Sequence, residues 1–356
     1  MPLKPMNNGE QKPLSAIPKP VQRLLHFGID YLTLNLGVPS GSKLPPKSIT
    51  FLDDIFSFPH NSTNASDYKG FIWGAGSEEV NLDFSTLGKD QIVYVHRGED
   101  RIMSIRKIGF DSNLPLGMKD KYQYQIQFYG SFFGLVRLGS FVLEDYWQPF
   151  LQDIQDGHIQ SSISRVDICA DIENRDVKSI NGSIIHKGKM KATSELEIDD
   201  ATGIPETVYY GRHSKDWKAR IYNKIREITS QKHKETLYTD YLASSCVTRV
   251  EIELHSKPCQ EYAITLTKCL ELKFVLGVYE KFLSNKAAHW GILRFIKSEL
   301  NKTGHKAIPA ERIKISHNQL SNYALTKRVV NQVKELIRRS GLPSEEIINL
   351  IRTQLP

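Results

Sequence analysis

One tyrosine of this sequence lies among cations. Tyr222 belongs to the stretch WKARIYNKIRE, residues 217–227, and Arg220 and Lys224 stand two positions to either side of it. In an extended chain alternate side chains share a face, so these three would point the same way. Neighbouring cations favour the phenolate form and attract a phosphate, so the pattern is compatible with attack of Tyr222 on a phosphodiester. A strand tyrosine with ordinary flanking charges is the alternative interpretation.

Two further segments each open on an arginine and carry two carboxylates at alternating positions. The first, SRVDICADIEN at 164–174, would place these polar side chains on one face of a strand: Arg165, Asp167, Cys169 and Asp171. The second, VTRVEIELHS at 247–256, repeats the pattern with Arg249, Glu251, Glu253 and His255. Apolar residues fill most of the positions between them. Each segment therefore predicts a strand with one face on a core and the other on solvent or a site.

Pairing of these two strands would bring three or four carboxylates together. Like charges at that separation repel, so the cluster needs a divalent cation, arginines or shared protons to balance it. Ligands that are all oxygen suit Mg²⁺ or Mn²⁺ better than zinc. A ladder of arginine–carboxylate pairs on an exposed sheet face is the alternative.

The elements that would position these residues are mostly strands. Alternation of polar and apolar residues predicts strands near 28–36, 91–97, 101–110, 122–130, 207–212 and 219–224, besides the two acidic segments. Residues 175–206 are predicted as an insertion or long loop. From Gln260 onward the apolar spacing becomes helical. The sequence thus predicts an α+β fold, with a disordered lead-in at 1–27, an antiparallel-sheet body at 28–260 and a mainly helical region at 261–356.

The positive charge of the chain is concentrated in two regions. The net charge is +7; residues 212–234 carry eight Lys and Arg against two acids, and residues 302–356 carry ten against four. Such regions predict an anionic partner. The four cysteines show no metal-type spacing, the N-terminus has no apolar signal region, and no apolar run is long enough for a membrane span. We therefore expect a cytoplasmic protein without membrane contact.

Taken together, the motifs resemble the Rep_trans family, the rolling-circle replication initiators of pT181-type plasmids. Initiators of filamentous phages and relaxases of conjugative elements are related to that family. The resemblance rests on R-x-D-x-x-x-D at 165–171, on Y-Y-G-R-x-S at 209–214 followed by R-I-Y-N-K at 220–224, and on R-V-E-I-E-L at 249–254. It implies an HUH-endonuclease-like fold in which carboxylates replace a His-hydrophobe-His pair as metal ligands. The sequence contains no H-x-H, which agrees with that replacement.

The resemblance implies a DNA nicking and closing enzyme that uses Mg²⁺ or Mn²⁺. Tyr222 would attack a phosphodiester, leaving a 5′-phosphotyrosyl link and a free 3′-OH that primes synthesis, and a later transesterification would close the displaced circle. The implied metal ligands are Asp167 and Glu251, followed by Asp171 and Glu253. The implied phosphate and DNA contacts are Arg220, Lys224, Arg212, Ser214, Arg165 and Arg249.

The implied partners are origin DNA, as a hairpin or a single-stranded nick site, and the host helicase and polymerase. Further DNA contacts are expected from Lys327, Arg338 and Arg339 in the helix TKRVVNQVKELIRR. This helix, the SGLPS turn and the helix after it are compatible with a helix-turn-helix at 326–355, or with a helical hairpin for packing or homodimerisation. Three alternative functions stay open: a non-catalytic sequence-specific DNA-binding regulator on the same fold, a conjugative relaxase, and a nuclease that activates water.

Overall fold

The structure is a computed structural model of the 356-residue chain. It describes residues 21–38, 47–57, 80–87, 90–108, 123–140, 142–186, 195–198, 205–285 and 288–310. The predictions for Lys327, Arg338 and Arg339, and for a helix-turn-helix at 326–355, lie outside these residues.

The described residues form twelve strands. They are β1 (Arg23–Gly37), β2 (Val80–Leu87), β3 (Asp90–Arg97), β4 (Asp100–Lys107), β5 (Tyr124–Phe128), β6 (Gln160–Glu173), β7 (Ile184–His186), β8 (Glu195–Ile198), β9 (Pro205–Tyr210), β10 (Trp217–Asn223), β11 (Val247–His255) and β12 (Ala288–Trp290). Ten of them make one antiparallel sheet in the order β2-β3-β4-β5-β1-β6-β11-β10-β9-β8, and β12 pairs with β7 separately. The predicted α+β class with an antiparallel sheet is confirmed.

Helices in the described part of the chain flank this sheet. They are α1 (Lys47–Ser57), α2 (Gly130–Arg137), α3 (Leu143–Gln155), α4 (Val177–Gly182), α5 (Lys224–Ser230), a 3₁₀ helix (Lys232–Leu237), α6 (Thr239–Leu242), α7 (Ser256–Glu261), α8 (Leu266–Cys269), α9 (Leu272–Asn285) and α10 (Ile292–Lys302). None of the described helices is both long enough and apolar enough to cross a lipid bilayer.

The two acidic strands are neighbours in the middle of the sheet. β6 pairs with β11, which places Asp167 opposite Glu253 and Asp171 opposite Arg249. β10 pairs with the other edge of β11, and Tyr222 stands opposite Arg249. The strands therefore pair as the alternation of their residues suggested, and they lie beside the tyrosine strand.

One face of the sheet is apolar and forms the core. Helix α9 packs on it: the Tyr279 hydroxyl donates to the backbone oxygen of Val250 at 3.0 Å, and the Tyr279 ring meets Phe27 edge-on at 5.3 Å. Phe282 of the same helix contacts Trp217 of β10 at 5.3 Å between ring centroids. Burial of this face orients the strands, because a shift of one residue would turn every apolar side chain outward.

Among the described residues, one segment covers one end of the polar face of the sheet. Residues 224–242, which form α5, the 3₁₀ helix and α6, follow β10 and return across it. The Tyr241 hydroxyl donates to Asp171 Oδ2 at 2.7 Å, so this end of β6 is closed. Asp167 lies further along the strand and lines an open cavity.

Several elements differ from the expectations. Strand β1 begins at Arg23, inside the segment predicted as a lead-in. The predicted loop at 175–206 contains α4, β7 and β8 in its described part. Helix α2, GSFFGLVR, was not predicted because its two glycines weaken helix propensity, yet burial of Phe132, Phe133 and Leu135 holds it in place.

Candidate functional site

An open cavity of about 500 Å³ lies on the polar face where β10, β6 and β1 approach α5. Five basic and four acidic side chains line it: Arg165, Arg220, Lys224, Arg226, Lys234, Asp30, Asp167, Glu206 and Glu227. Four tyrosines line it as well: Tyr31, Tyr209, Tyr222 and Tyr238. A cavity of this size with cations and aromatic rings in its wall can accommodate a phosphate and a stacked base.

Tyr222 is placed by the end of one element and the start of the next. It is the last polar-face residue of β10 before Asn223, whose side-chain oxygen accepts a hydrogen bond from the Arg226 N–H at 3.3 Å and caps α5. The chain therefore turns from strand to helix beside the tyrosine. The Tyr222 hydroxyl donates to Glu251 Oε2 at 3.1 Å. Arg220 pairs with the other oxygen of Glu251 and lies 5.6 Å from the centroid of the tyrosine ring.

These contacts overturn the expectation that Tyr222 is biased toward phenolate. Burial, and next the Glu251 carboxylate, raise the pKa of Tyr222 well above its ordinary value; Arg249 opposes them without prevailing. The cations that suggested a phenolate have carboxylate partners of their own: Arg220 pairs with Glu251, and Lys224 pairs with Glu227 at 2.5 Å. The hydroxyl is therefore a neutral donor to an acidic acceptor. A proton must leave it before it can attack, and Glu251 is the group in contact with that proton.

Asp167 is the only predicted metal ligand that lines the cavity. Its side chain is 3% exposed and accepts two hydrogen bonds from Arg165, at 2.9 and 2.6 Å. Burial raises its pKa to about 7; the Arg165 hydrogen bonds oppose this rise, and the nearby carboxylates Glu251 and Glu253 add to it. Burial, and after it the neighbouring carboxylates, therefore outweigh the stabilisation of the charged form by Arg165.

Asp171 and Arg249 form a buried ion pair beneath the cavity. Arg249 Nε and Nη2 donate to the two Asp171 oxygens at 2.6 and 2.7 Å, and the two side chains are 1% and 0% exposed. Arg249 Nη1 also lies 2.6 Å from Asp30 Oδ1. Burial opposes the charged form of Asp171, but the Arg249 cation prevails and lowers the pKa of Asp171 below its ordinary value.

This pair corrects two predictions. Arg249 was expected to contact DNA, but its guanidinium is enclosed and paired with two carboxylates. Asp171 was expected to bind a metal, but Arg249 and Tyr241 already occupy both of its oxygens. Alternation along a strand predicts which face a side chain lies on, and it placed both residues on the polar face. It does not predict that residues far along the chain, in α5 to α6, cover one end of that face.

A divalent metal fits one of the remaining acids. Glu253 accepts a hydrogen bond from Lys218 and pairs with Arg165, both at 3.1 Å, and it lies 2.5 Å from His255. Glu251 is held by Arg220 and Tyr222. Within the described ranges, no three His, Cys, Asp or Glu side chains are grouped to hold a metal ion. Of the predicted ligands, Asp167 is the one that reaches the cavity, and a cation there would have to displace the Arg165 guanidinium from one of its two oxygens. Mg²⁺ is commonly held by one or two carboxylates together with the phosphates of the substrate, so a site built on Asp167 would rely on the DNA for its other ligands.

The predicted phosphate contacts are distributed unevenly. Arg165, Arg220 and Lys224 line the cavity, although the Lys224 side chain is only 3% exposed and lies 4.8 Å from the Tyr238 ring. Arg212 is exposed and stacks on Tyr209, a cavity residue, at 5.1 Å. The Ser214 hydroxyl accepts from the backbone N–H groups of residues 216 and 217, both at 3.3 Å, so it holds the turn before β10.

Asp30 is a cavity residue that the sequence reading missed. The register of β1 against β6 shifts between Ile29 and Tyr31, so Asp30 is the extra residue of a β-bulge. A signal for it exists in the sequence. Phe27 and Ile29 are buried at odd positions, whereas the next buried apolar residues, from Leu32 onward, are at even positions. A change of parity inside one strand is what a bulge produces.

Comparisons with known proteins found one family model and solved structures that are similar to this chain. Residues 118–274, less than half of the chain, match the family model described as "Replication-associated protein G2P N-terminal". None of the curated proteins compared with this chain matches it. Among solved structures, the rolling circle replication initiator protein from Geobacillus stearothermophilus is similar at a TM-score of 0.44 and 15% sequence identity, over 74% of this chain and 86% of that one.

The family-model match spans β6, β10 and β11, and thus every cavity residue contributed by these three strands. This part of the chain is similar to the N-terminal region of a replication-associated protein.

Proposed function

We propose that this protein nicks one strand of its origin DNA through Tyr222 and later rejoins the ends. The observation that carries the proposal is the hydrogen bond of 3.1 Å from the Tyr222 hydroxyl to Glu251, at a cavity that Arg165, Arg220 and Lys224 also line. A neutral nucleophile next to a base, with cations where a phosphate would lie, is the arrangement that nucleophilic phosphoryl transfer requires.

In the nicking step, the Tyr222 oxygen forms a bond to phosphorus while the bond from phosphorus to the 3′-oxygen breaks. The tyrosine proton passes to Glu251, and the departing 3′-oxygen takes a proton from solvent to become the 3′-OH. In the closing step a 3′-OH attacks the phosphorus of the phosphotyrosine and gives its proton to solvent, the bond from phosphorus to the tyrosine oxygen breaks, and that oxygen takes a proton from Glu251. Arg220, which pairs with Glu251, orients the carboxylate through both steps.

A divalent cation is part of the proposal, with Asp167 as its protein ligand. When bound, Mg²⁺ or Mn²⁺ would polarise a phosphoryl oxygen. The raised pKa of Asp167 supports this ligand, because a cation would favour the charged carboxylate that burial and its acidic neighbours disfavour. Arg165 would then donate to a phosphate oxygen and to one oxygen of Asp167.

The test is covalent capture. The protein is incubated with supercoiled plasmid carrying its origin and with Mg²⁺ or Mn²⁺, then denatured, and DNA bound covalently to protein is measured. We expect an adduct with the wild type, no adduct with Tyr222→Phe, and an adduct with Tyr209→Phe, which removes the hydroxyl of another cavity tyrosine. Normal nicking by Tyr222→Phe would refute the assignment. Cleavage without any adduct would point to activated water.

A non-catalytic DNA-binding regulator is the second candidate. The observation in its favour is that all four predicted acids have basic or hydroxyl partners within the protein, as structural residues would. In that case no adduct forms with any variant, and binding to origin DNA is the same for the wild type and Tyr222→Phe.

A further inference from the structure

Beyond the cavity, the polar face of the sheet carries an uncharged hydrogen-bonded row that we call the amide strip. Its members come from four adjacent strands and the residue after β5: Ser104, Asn35, Gln125, Gln127, Ser162 and Tyr129. The Gln125 amide donates to Asn35 Oδ1 at 3.0 Å, and Asn35 donates to the Ser162 hydroxyl at 3.4 Å. The Gln127 amide donates to Gln125 at 3.3 Å. One connected network thus crosses β6, β1 and β5.

The network continues to β4. The Ser104 hydroxyl donates to Gln127 Oε1 at 3.3 Å, and the Tyr129 hydroxyl lies within hydrogen-bond distance of both, at 3.1 and 3.2 Å. Asn35, Gln125 and Gln127 are half-buried, whereas the residues that alternate with them on β5 are buried on the opposite face. The hydrogen bonds of the strip join uncharged side chains, and Arg106 of β4 stands opposite Gln125 at its edge. The exposed face of an ordinary antiparallel sheet is richer in charge, so the composition of the strip calls for an explanation.

The amide strip joins the cavity through two tyrosines. The Tyr129 ring meets Tyr31 edge-on at 5.7 Å, and the Arg165 guanidinium stacks on Tyr31 at 4.2 Å. Tyr31 and Arg165 both line the cavity. The same sheet face therefore leads without interruption from Tyr222 to the amides.

The chemistry of the strip suits nucleobases and not phosphates. An amide carries a donor and an acceptor side by side, which matches the edges of bases, and tyrosine rings offer stacking surfaces. Phosphates call for cations, and five basic side chains line the cavity, whereas Arg106 stands alone beside the amides in the described part of this face. Sheet faces read nucleic acid in several folds.

We propose that the amide strip reads the bases of the single strand of origin DNA that leads into the cavity. This inference rests on the proposed function, because it places the scissile phosphate beside Tyr222. Gln127 lies four strands from β10 across the sheet, about 19 Å, and its row lies about six residues further along the strands than that of Tyr222, about 20 Å, so the two are about 28 Å apart. That distance corresponds to about eight base steps at duplex spacing. Part of the sequence preference should therefore lie within several nucleotides of the nick site, on one side of it.

The experiment compares selected sequences. A randomised single-stranded DNA pool is selected against the full chain and against the double variant Gln125→Met, Gln127→Met, in which methionine keeps the length of the side chains and removes the amides. The matched control is Gln91→Met, an exposed glutamine of β3 outside the strip. Affinities for the best selected sequence and for oligo-dT are then measured as a function of salt, and melting temperatures show whether each variant is folded.

We expect the double variant to lose about five- to a hundred-fold in affinity for the selected sequence, the range that a good amide–base pair provides. Its affinity for oligo-dT and the slope of affinity against salt should stay as in the wild type, since no phosphate contact is removed. Unchanged selection in a folded double variant would overturn the inference and leave the strip as a cross-strand amide ladder. A flatter salt slope, with equal losses on every sequence, would also overturn it.

The two proposals fail in different ways. If no covalent adduct forms at Tyr222 but selection still depends on Gln125 and Gln127, the proposed nicking is wrong and the base-reading surface stands. If the adduct forms and selection ignores the strip, only the base-reading inference is wrong.

Discussion

Replacing Asp171 by asparagine should destabilise the fold strongly, whether or not a metal is present. The carboxylate is fully buried and receives two hydrogen bonds from Arg249, itself 1% exposed, and one from Tyr241. Asparagine offers one acceptor oxygen in place of two and no charge, so Arg249 keeps a single charged partner, Asp30. Breaking a buried pair by removing one partner costs about 3–5 kcal/mol, because a charge is left without compensation in a poorly polarisable interior.

The assay is urea unfolding of the wild type and of Asp171→Asn in EDTA and in excess Mg²⁺, followed by circular dichroism. The matched control is Glu173→Gln, two residues further along the same strand. Glu173 is also buried and accepts from Ser244, but it pairs at 2.5 Å with Arg23, whose side chain is 66% exposed. Water can solvate Arg23 once the pair is lost, so the control should lose much less stability than Asp171→Asn.

Two results would refute this reasoning. If Asp171→Asn and Glu173→Gln lose similar stability, the buried pair does not contribute as its burial implies. If Asp171→Asn matches the wild type in EDTA and differs from it only in Mg²⁺, Asp171 is a metal ligand after all.

Three further outcomes follow from the same contacts. Glu251→Gln keeps a hydrogen-bond acceptor but takes no proton, so covalent adduct formation should slow by about 10²- to 10⁴-fold with DNA binding retained; an unchanged rate, or recovery on raising Mg²⁺, would contradict the role of base. The pKa of Asp167, raised to about 7, means that the folded protein holds this proton more tightly than the unfolded chain does, so in EDTA stability is lost as pH rises from about 4 to about 7. Asp167→Asn should remove that loss in urea titrations across this range, and a variant with the same pH dependence as the wild type would show that another group causes it. Gly277→Ala should destabilise by about 1–3 kcal/mol in the same unfolding assay, since a Cβ there would lie 1.8 Å from the backbone oxygen of residue 308, whereas Gly182→Ala, with open space around it, should be neutral or stabilising.

The site shows where sequence reasoning holds and where it stops. Alternation in 164–174 and 247–256 correctly gave two strands with an apolar and an acidic face, because the period of a strand is a local property of the chain. Whether the two strands pair stayed open in the sequence, and the register of Asp167 against Glu253 shows that they do. The same alternation could not separate Asp167, at the open cavity, from Asp171 under α6.

The charge state of Tyr222 was decided by the tertiary structure. Counting neighbours along the chain gives Tyr222 two cations and no acid nearby. Folding brings Glu251, 29 positions away, to 3.1 Å from its hydroxyl and gives Arg220 and Lys224 acidic partners. The pKa of the phenol therefore rises where the sequence implied that it would fall.

The sequence by itself determined the strands that carry the site, the residues of their two faces and the resemblance to replication initiators, since all three depend on local spacing. The tertiary structure alone decided which carboxylate is buried, which meets the cavity and which meets the nucleophile. Burial and charge pairing depend on residues that are tens of positions apart along the chain. The register between the strands decides which charges pair, and the helices that cover one end of the polar face decide which side chains are enclosed.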